Sequence, residues 1–451
     1  MPIARFDLRL PALACLVWAF NASAQDSLSD AVAAAQSKDP ALQSASLNRE
    51  AARQNIWIAG SRLLPQLTYQ ETRQNTNQTT TQDTIAGPVA RDFTGQSYNK
   101  QLSLRQGVIR ARDVEGYRQG HMQFEYGDQK YMSAQADLWS RATGAWLDVL
   151  AARSLVDVYM RAVQSANESA QQEIKRYKVG DGTKDSRAEA LAQLAQAKAM
   201  LLDSELNLKA RERAYMLLTG LPSEGLAKRR LPTESAVKFD GSQRDELWSL
   251  VLSTAPELRA ARATQNVSLS RANQALYDHL PTLDLVASAS SAQNDSANTL
   301  GYRYTNRQVG AQLVVPLFSG GGVEASRRQA VASHEASVAD GEALLMRVET
   351  QFMADWASQA GLLERAQAAR SLVVAAQEQR RAAELGLAKG LRTWTELSNA
   401  DLLLARRSSD LVNLQVSLFK TQARILSLLP IQVPAWDEWV KSLDSASQQG
   451  Q

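Results

Sequence analysis

Residues able to do chemistry are sparse in this chain. His121, His279 and His334 are its only imidazoles. His334-Glu335 lies in "SHEAS" at 333–337, but a zinc-protease helix needs a second histidine four residues after the first, and Val338 stands there. "SGGGVEAS" at 319–326 is rich in glycine, yet no Lys-Ser/Thr pair follows, so it is not a phosphate loop. Cys15 is the sole thiol. No nucleophile has a base and an orienting acid in recognisable order. The sequence therefore reads as a protein that is not an enzyme and uses no cofactor and no metal, its histidines being ordinary helix or loop residues.

Charge gives no binding footprint either. Fifty basic residues face 47 acidic ones, for a net charge of +3, and the two signs are interspersed, which argues against nucleic acid. At the start, Arg5 and Arg9 precede an apolar run from Leu10 to Phe20, and Ala22-Ser23-Ala24 gives an A-x-A cleavage site. Residues 1–24 are expected to be a cleaved export signal, and an amphipathic helix is the competing reading. Cys15 has almost no apolar stretch before it, so a lipid anchor is not expected, and the mature chain would have no cysteine. No later segment reaches about 18 apolar residues, which excludes a transmembrane helix but leaves a β-barrel open.

The elements come into view through an internal repeat. "KDPALQSA" (38–45) resembles "TAPELRAA" (254–261), and "SRLLPQLTY" (61–69) resembles "YDHLPTLDL" (277–285), both at an offset of 216 residues. "KVGDGT" (178–183) resembles "AKGLRT" (388–393), and "LLTGLP" (217–222) faces "SLLPIQ" (427–432), both at an offset of 210. The chain reads as a tandem duplication, 25–235 and 236–435, followed by a tail at 436–451 to which little is assigned.

Within each copy, proline and alternation divide the chain. No proline occurs from 89 to 221 or from 317 to 429, and both tracts are rich in good helix formers. Gly180 and Gly390 break them. Gly116, Gly120, Gly127 and Gly144 are expected to weaken the first tract locally. Period-two alternation marks strands at Leu67–Tyr69, Tyr98–Leu104, Leu283–Ala289 and Val309–Leu317. "TRQNTNQTTTQDT" and "SAQNDSANT" are expected to be polar loops between them. Each copy thus reads helix, hairpin, long helix, turn, helix. Four strands that are apolar on one face cannot close into a barrel alone, and lipid does not tolerate open sheet edges. Either the chain oligomerises, or the hairpins sit on a soluble core.

The order of these features resembles the TolC outer-membrane factor family. The resemblance is carried by "LLPQL" and "HLPTL" entering the strands, by "PLFSGG" at the second strand-to-helix junction, and by the turns "VGDGT" and "KGLRT". It spans nearly the whole mature chain. It implies a mainly α fold with a β-barrel part: a homotrimer with a twelve-strand outer-membrane barrel, four strands per chain, continued by a long periplasmic α-helical barrel. Pro65, Gly107, Pro281, Pro316 and Gly320 would mark the strand–helix junctions. One departure is "LRQGVIR", where Gly107 stands in place of the family's proline and a looser junction is expected.

The resemblance also implies a gate at the periplasmic tip. Arg392 matches a family arginine two residues after the second turn glycine, and Glu396 a gate carboxylate six residues after it. Asn399 stands where a second acid often occurs. In the first copy the carboxylate position is Ser186, with Asp185 beside it, and a closing salt bridge between Arg392 and Asp185 is expected. The competing reading takes Arg392 and Glu396 as solvated charges near a helix start. Gly180, Gly182, Thr183, Gly390 and Thr393 form the tip, where an adaptor would touch; helix capping is the preferred role of the two threonines.

The implied function is an exit duct in the outer membrane, reaching into the periplasm of a Gram-negative cell. Its partners would be a periplasmic adaptor, an inner-membrane ABC transporter or other pump, an exported protein cargo and outer-membrane lipid. Type I secretion of a protein such as an RTX toxin is the first reading, and the absent lipid anchor favours it. Multidrug or small-molecule efflux is the second. A soluble periplasmic coiled-coil scaffold is the alternative from another class.

Overall fold

In the computed structural model, residues 27–232, 243–296, 299–431 and 434–448 are described. The expected signal at 1–24 and the copy boundary at 235 lie outside them.

The first copy runs α1 (Leu28–Lys38), α2 (Pro40–Ser61), β1 (Gln66–Thr84), β2 (Gly87–Ile109), α3 (Ala111–Lys178) and α4 (Lys184–Thr219). After a short 3-10 turn at Glu224–Lys228, the same order returns as α5 (Arg244–Thr254), α6 (Pro256–Tyr277), β3 (Thr282–Ser296), β4 (Thr299–Val314), α7 (Gly322–Ala388) and α8 (Trp394–Ser427). A final helix, α9, spans Pro434–Gln448. Among the described residues no helix is long and apolar enough to cross a membrane.

The strands form one antiparallel sheet in the order β1-β2-β3-β4. The polar segments expected as loops are largely strand. Thr72–Thr84 pairs residue by residue with Gly87–Asn99, and β3 continues to Ser296. Ladder hydrogen bonds and β-branched threonines hold the hairpin where apolar alternation has stopped.

α3, at 68 residues, is about 100 Å long and unbroken. Its glycines do not weaken it; they admit neighbours. A Cβ on Gly120 would come within 3.0 Å of the Asn55 carbonyl, so α2 lies directly on α3 there.

α3 and α7 organise two four-helix layers. Nearer the sheet the order is α2-α3-α6-α7, and farther from it α4-α3-α8-α7. Where the layers meet, Trp146, Leu147 and Leu150 of α3 join Leu28 and Val32 of α1, Phe419 and Leu426 of α8, and Trp436, Trp439 and Leu443 of α9 in the main core. The tail expected to add little is part of that core. Trp439 Nε1 donates to Gln422 Oε1 at 3.0 Å, and Asp444 Oδ1 accepts from the Leu28 amide at 2.6 Å, so α9 clasps the start of α1.

Candidate functional site

The candidate gate is built on two helix turns. Gly180 and Gly390 adopt φ of 83° and 69°, a left-handed conformation that closes each preceding helix. Thr183 then caps α4, its hydroxyl accepting from the Ser186 amide at 3.1 Å. Thr393 caps α8 within a full capping box: its hydroxyl accepts from the Glu396 amide at 3.2 Å, and Glu396 Oε2 accepts from the Thr393 amide at 2.8 Å. The two turns lie side by side, because Gln193 Nε2 of α4 donates to Asn399 Oδ1 of α8 at 2.8 Å. Gly182 fits tightly, since a Cβ there would meet the Tyr177 amide nitrogen at 2.8 Å.

Within one protomer, Arg392 does not pair with Asp185. Its guanidinium, in the turn before α8, stands 4.0 Å from Glu396 in the first turn of that helix. The cause is packing: the Arg392 side chain folds over Gly386, where an added Cβ would be 2.5 Å from its Cγ. Asp185 lies in the first turn of α4. Asn399 is not far from an acid after all, because its amide donates to Glu189 of the first copy at 3.5 Å.

Two features here go beyond the sequence expectations. Asp401 of α8 accepts from Arg380 Nε of α7 at 2.7 Å and from the Ser165 hydroxyl of α3, tying three helices together. Asp401 holds the Arg380 guanidinium above its ordinary value. The sequence did carry a signal: Arg380 and Asp401 lie at nearly equal distances from Gly390, so an antiparallel helix pair brings them opposite. The Arg187 guanidinium sits 4.2 Å from the Tyr177 ring centre, a cation–π contact across the first turn.

The junctions lie at the other end of α3 and α7. Pro65 and Pro281 immediately precede β1 and β3. Pro316 and Gly320 lie between β4 and α7, and Gly320 and Gly321 have φ of 60° and 83°. Gly107 sits inside β2, at a bulge in its pairing with β3. That junction is not loose. Asp284 of β3 is 1% exposed and receives Arg110 Nε and Nη2, both at 2.7 Å, together with Arg105 Nε at 2.9 Å. A Cβ on Gly107 would lie 2.5 Å from Arg110 Cδ, so glycine makes room for that arginine.

His334 Nδ1 is 3.1 Å from Ser268 Oγ and joins α7 to α6. Among the described residues no cluster of His, Cys, Asp and Glu could hold a metal.

What the protomer has instead is open edges. β1 and β4 each lack a partner on one side. α2 and α4 end the helical layers on the β1 side, and α7 ends them on the other. The exposed flank of α7 carries Met346, Val374 and Leu385.

Comparison with known proteins gives this architecture a family. The chain is 28% identical over 388 residues to the alkaline protease secretion protein AprF of Pseudomonas aeruginosa, covering 86% of this chain and 81% of that one. It is 29% identical over 394 residues to the proteases secretion protein PrtF of Dickeya chrysanthemi, with coverages of 84% and 82%. The open-state MtrE outer membrane channel of Neisseria gonorrhoeae has the same fold, with a TM-score of 0.75 at 18% identity over 90% of this chain and 89% of that one. The outer membrane efflux protein family matches twice, over residues 31–221 and 247–429, once on each copy of the repeat. The chain belongs to the outer membrane efflux protein family, whose channels lie in the outer membrane and extend into the periplasm.

Proposed function

We propose that the protein is the outer-membrane exit duct of a type I secretion system and passes a protein cargo. The observation that carries this reading is the pair of open edges running the length of the protomer. An unpaired strand edge in lipid costs several kcal/mol per unsatisfied group, so the sheet needs partners on both sides. Three copies of four strands make a closed barrel of twelve, and the α2/α4 edge of one copy meets α7 of the next. The relatives AprF and PrtF bear names of protease secretion, which favours protein cargo over small molecules.

In this reading the duct does no chemistry. A periplasmic adaptor docks at the turns around Gly180 and Gly390, and an inner-membrane transporter supplies the work. The gate is assigned to Arg392, Glu396, Asp185, Ser186 and Asn399. Three copies of Glu396 around a narrow axis repel one another and attract cations. The expected bridge from Arg392 to Asp185, absent within the protomer, would in this reading join neighbouring protomers. Each such exposed link contributes about 1 kcal/mol or less, weak enough for an adaptor to open.

The test compares culture supernatants of the native strain and a strain lacking the protein. Loss of one large secreted protein is expected. An unchanged supernatant with new sensitivity to dyes or antibiotics would replace secretion with small-molecule efflux.

A further inference from the structure

The outward face of the sheet changes character abruptly. Strand register puts Leu67, Tyr69, Leu102, Leu104, Ala287, Ala289 and Val309 on one face. The opposite face is Gln/Thr/Ser-rich: Thr68, Gln70, Ser103, Gln101, Ser288 and Ser290. On β3 the polar face is the more covered one, with Ser288 and Ser290 partly buried while Leu285 and Ala289 are exposed, as on the inside of a curved sheet. The apolar face is therefore the lipid face. On β4 it runs from Val309 to Leu313, and the exposed Leu317 follows in the segment before α7.

At the end of this band away from the helices, the same face turns cationic. Glu71 is paired across the strands with Lys100, Arg73 with Tyr98, and Gln293 with Arg303. Arg307 lies beside Ala289. All four cations are exposed. Arg73 is neutralised locally by Glu71 at 2.8 Å, and Arg303 only donates to the Gln293 amide oxygen at 2.9 Å. Lys100 faces the Glu71 carboxylate across the strands without a bond to it, and among the described residues Arg303 and Arg307 have no bonded carboxylate. Neighbouring strands are about 4.8 Å apart, so the group spans roughly 15 Å on three strands. Four cations thus share the single Glu71 carboxylate at the rim of the apolar band, on the side away from the periplasmic helices, where the group faces the head groups of the outer leaflet.

We propose that Arg73, Lys100, Arg303 and Arg307 form a binding site for a phosphate-bearing glycolipid of the outer leaflet, whose acyl chains lie on the apolar band below. The site rests on the reading of the sheet as part of a closed outer-membrane barrel. Charge complementarity selects the phosphate, and Arg303 and Arg307 present forks suited to it. Tyr69 and Tyr98 lie at the same level, where amphipathic rings favour the interface.

The test places the purified full-length protein in phosphatidylcholine nanodiscs with either diphosphorylated or dephosphorylated lipid A, and counts retained lipid by native mass spectrometry. Preferential retention of the phosphorylated form is expected. The triple variant Lys100→Gln/Arg303→Gln/Arg307→Gln should weaken that preference at least about tenfold, whereas Arg303→Lys/Arg307→Lys should keep most of it. Equal retention of the two lipids by the native protein, or an undiminished preference in the triple variant, overturns the site. A heat-modifiable oligomer on a gel is checked first. Its absence in the native protein overturns the barrel reading and this site with it; a stable oligomer with equal retention overturns the site alone.

Discussion

The two strand-to-helix junctions solve one problem by different means. At the first, β2 ends at Ile109 and α3 begins at Ala111, with Arg110 alone between them. The turn is braced by side chains, as Arg105 and Arg110 converge on buried Asp284. At the second, residues 315–321 separate β4 from α7, and two left-handed glycines make the turn. Leu317 and Phe318 remain exposed there, at 92% and 88%. One junction depends on charge and the other on backbone freedom. The contrast shows why losing a proline need not loosen a turn: a long-range ion cluster replaces a local constraint.

The comparison breaks most sharply at Asp284. Asp284→Ala leaves two arginines facing a partly buried site without their anion. It is expected to cost about 2–4 kcal/mol, read as a lower dissociation temperature of the oligomer. Gly107→Ala acts on the same cluster indirectly. Its new methyl displaces the Arg110 side chain, so a loss of about 1–2 kcal/mol is expected, with little further loss in an Arg110→Ala background. Additive losses would mean that Gly107 serves the backbone rather than Arg110.

The second junction should respond to the opposite chemistry. At Gly321 an added Cβ meets nothing, yet φ is 83°. Gly321→Val is expected to cost about 1–2 kcal/mol by conformation alone, and Gly321→Asn distinctly less, because asparagine tolerates the left-handed region. Equal sensitivity to Val and Asn would show that space, not φ, is limiting.

These differences also mark what the sequence could disclose. The duplication, the long helices and the four strands follow from proline gaps, glycine turns and alternation, all local signals. Thr72–Thr84 was unreadable as strand because its alternation carries no apolar partner; only pairing with β2 makes it one. The Asp284 cluster joins residues 174 and 179 positions apart, and nothing local announces it. α9 is different. Trp436, Trp439, Val440 and Leu443 stand at helical spacing, so its buried stripe is legible in the sequence. At the tip, the capping residues could be placed from the glycines. The packing of Arg392 on Gly386, which turns it from Asp185 toward Glu396, could not.

A milder contrast lies at the starts of α2 and α6. Asp39 caps α2 at the Leu42 amide, 2.9 Å away, and meets Arg141; Ala255 occupies the same place before α6 and has no side-chain cap. Burial pushes the Asp39 carboxyl up, but the Leu42 amide and Arg141 outweigh it and hold it below the usual range. The folded form therefore favours the carboxylate. Its contribution is present above the unfolded value of about 4 and is lost as pH falls through the lower folded value. Asp39→Ala should cost about 1 kcal/mol at pH 7 and flatten the loss of stability as pH falls below about 4. Ala255→Asp should move the second copy toward the first.

The smallest expected effect separates capping from gating at the tip. Thr183→Ala and Thr393→Ala should each cost about 1 kcal/mol or less, Thr393→Ala slightly more because Glu396 reciprocates its bond. Glu396→Gln keeps an acceptor for the Thr393 amide and removes the charge. If Glu396 works only as half of a capping box, the variant should leave both stability and single-channel cation preference unchanged. If three Glu396 carboxylates ring the pore, stability should hold while cation preference falls. Thr393→Ala should do the reverse, lowering helix stability without changing the charge. The two variants together therefore distinguish a residue that ends a helix from one that guards an axis, although one carboxylate is placed to do both.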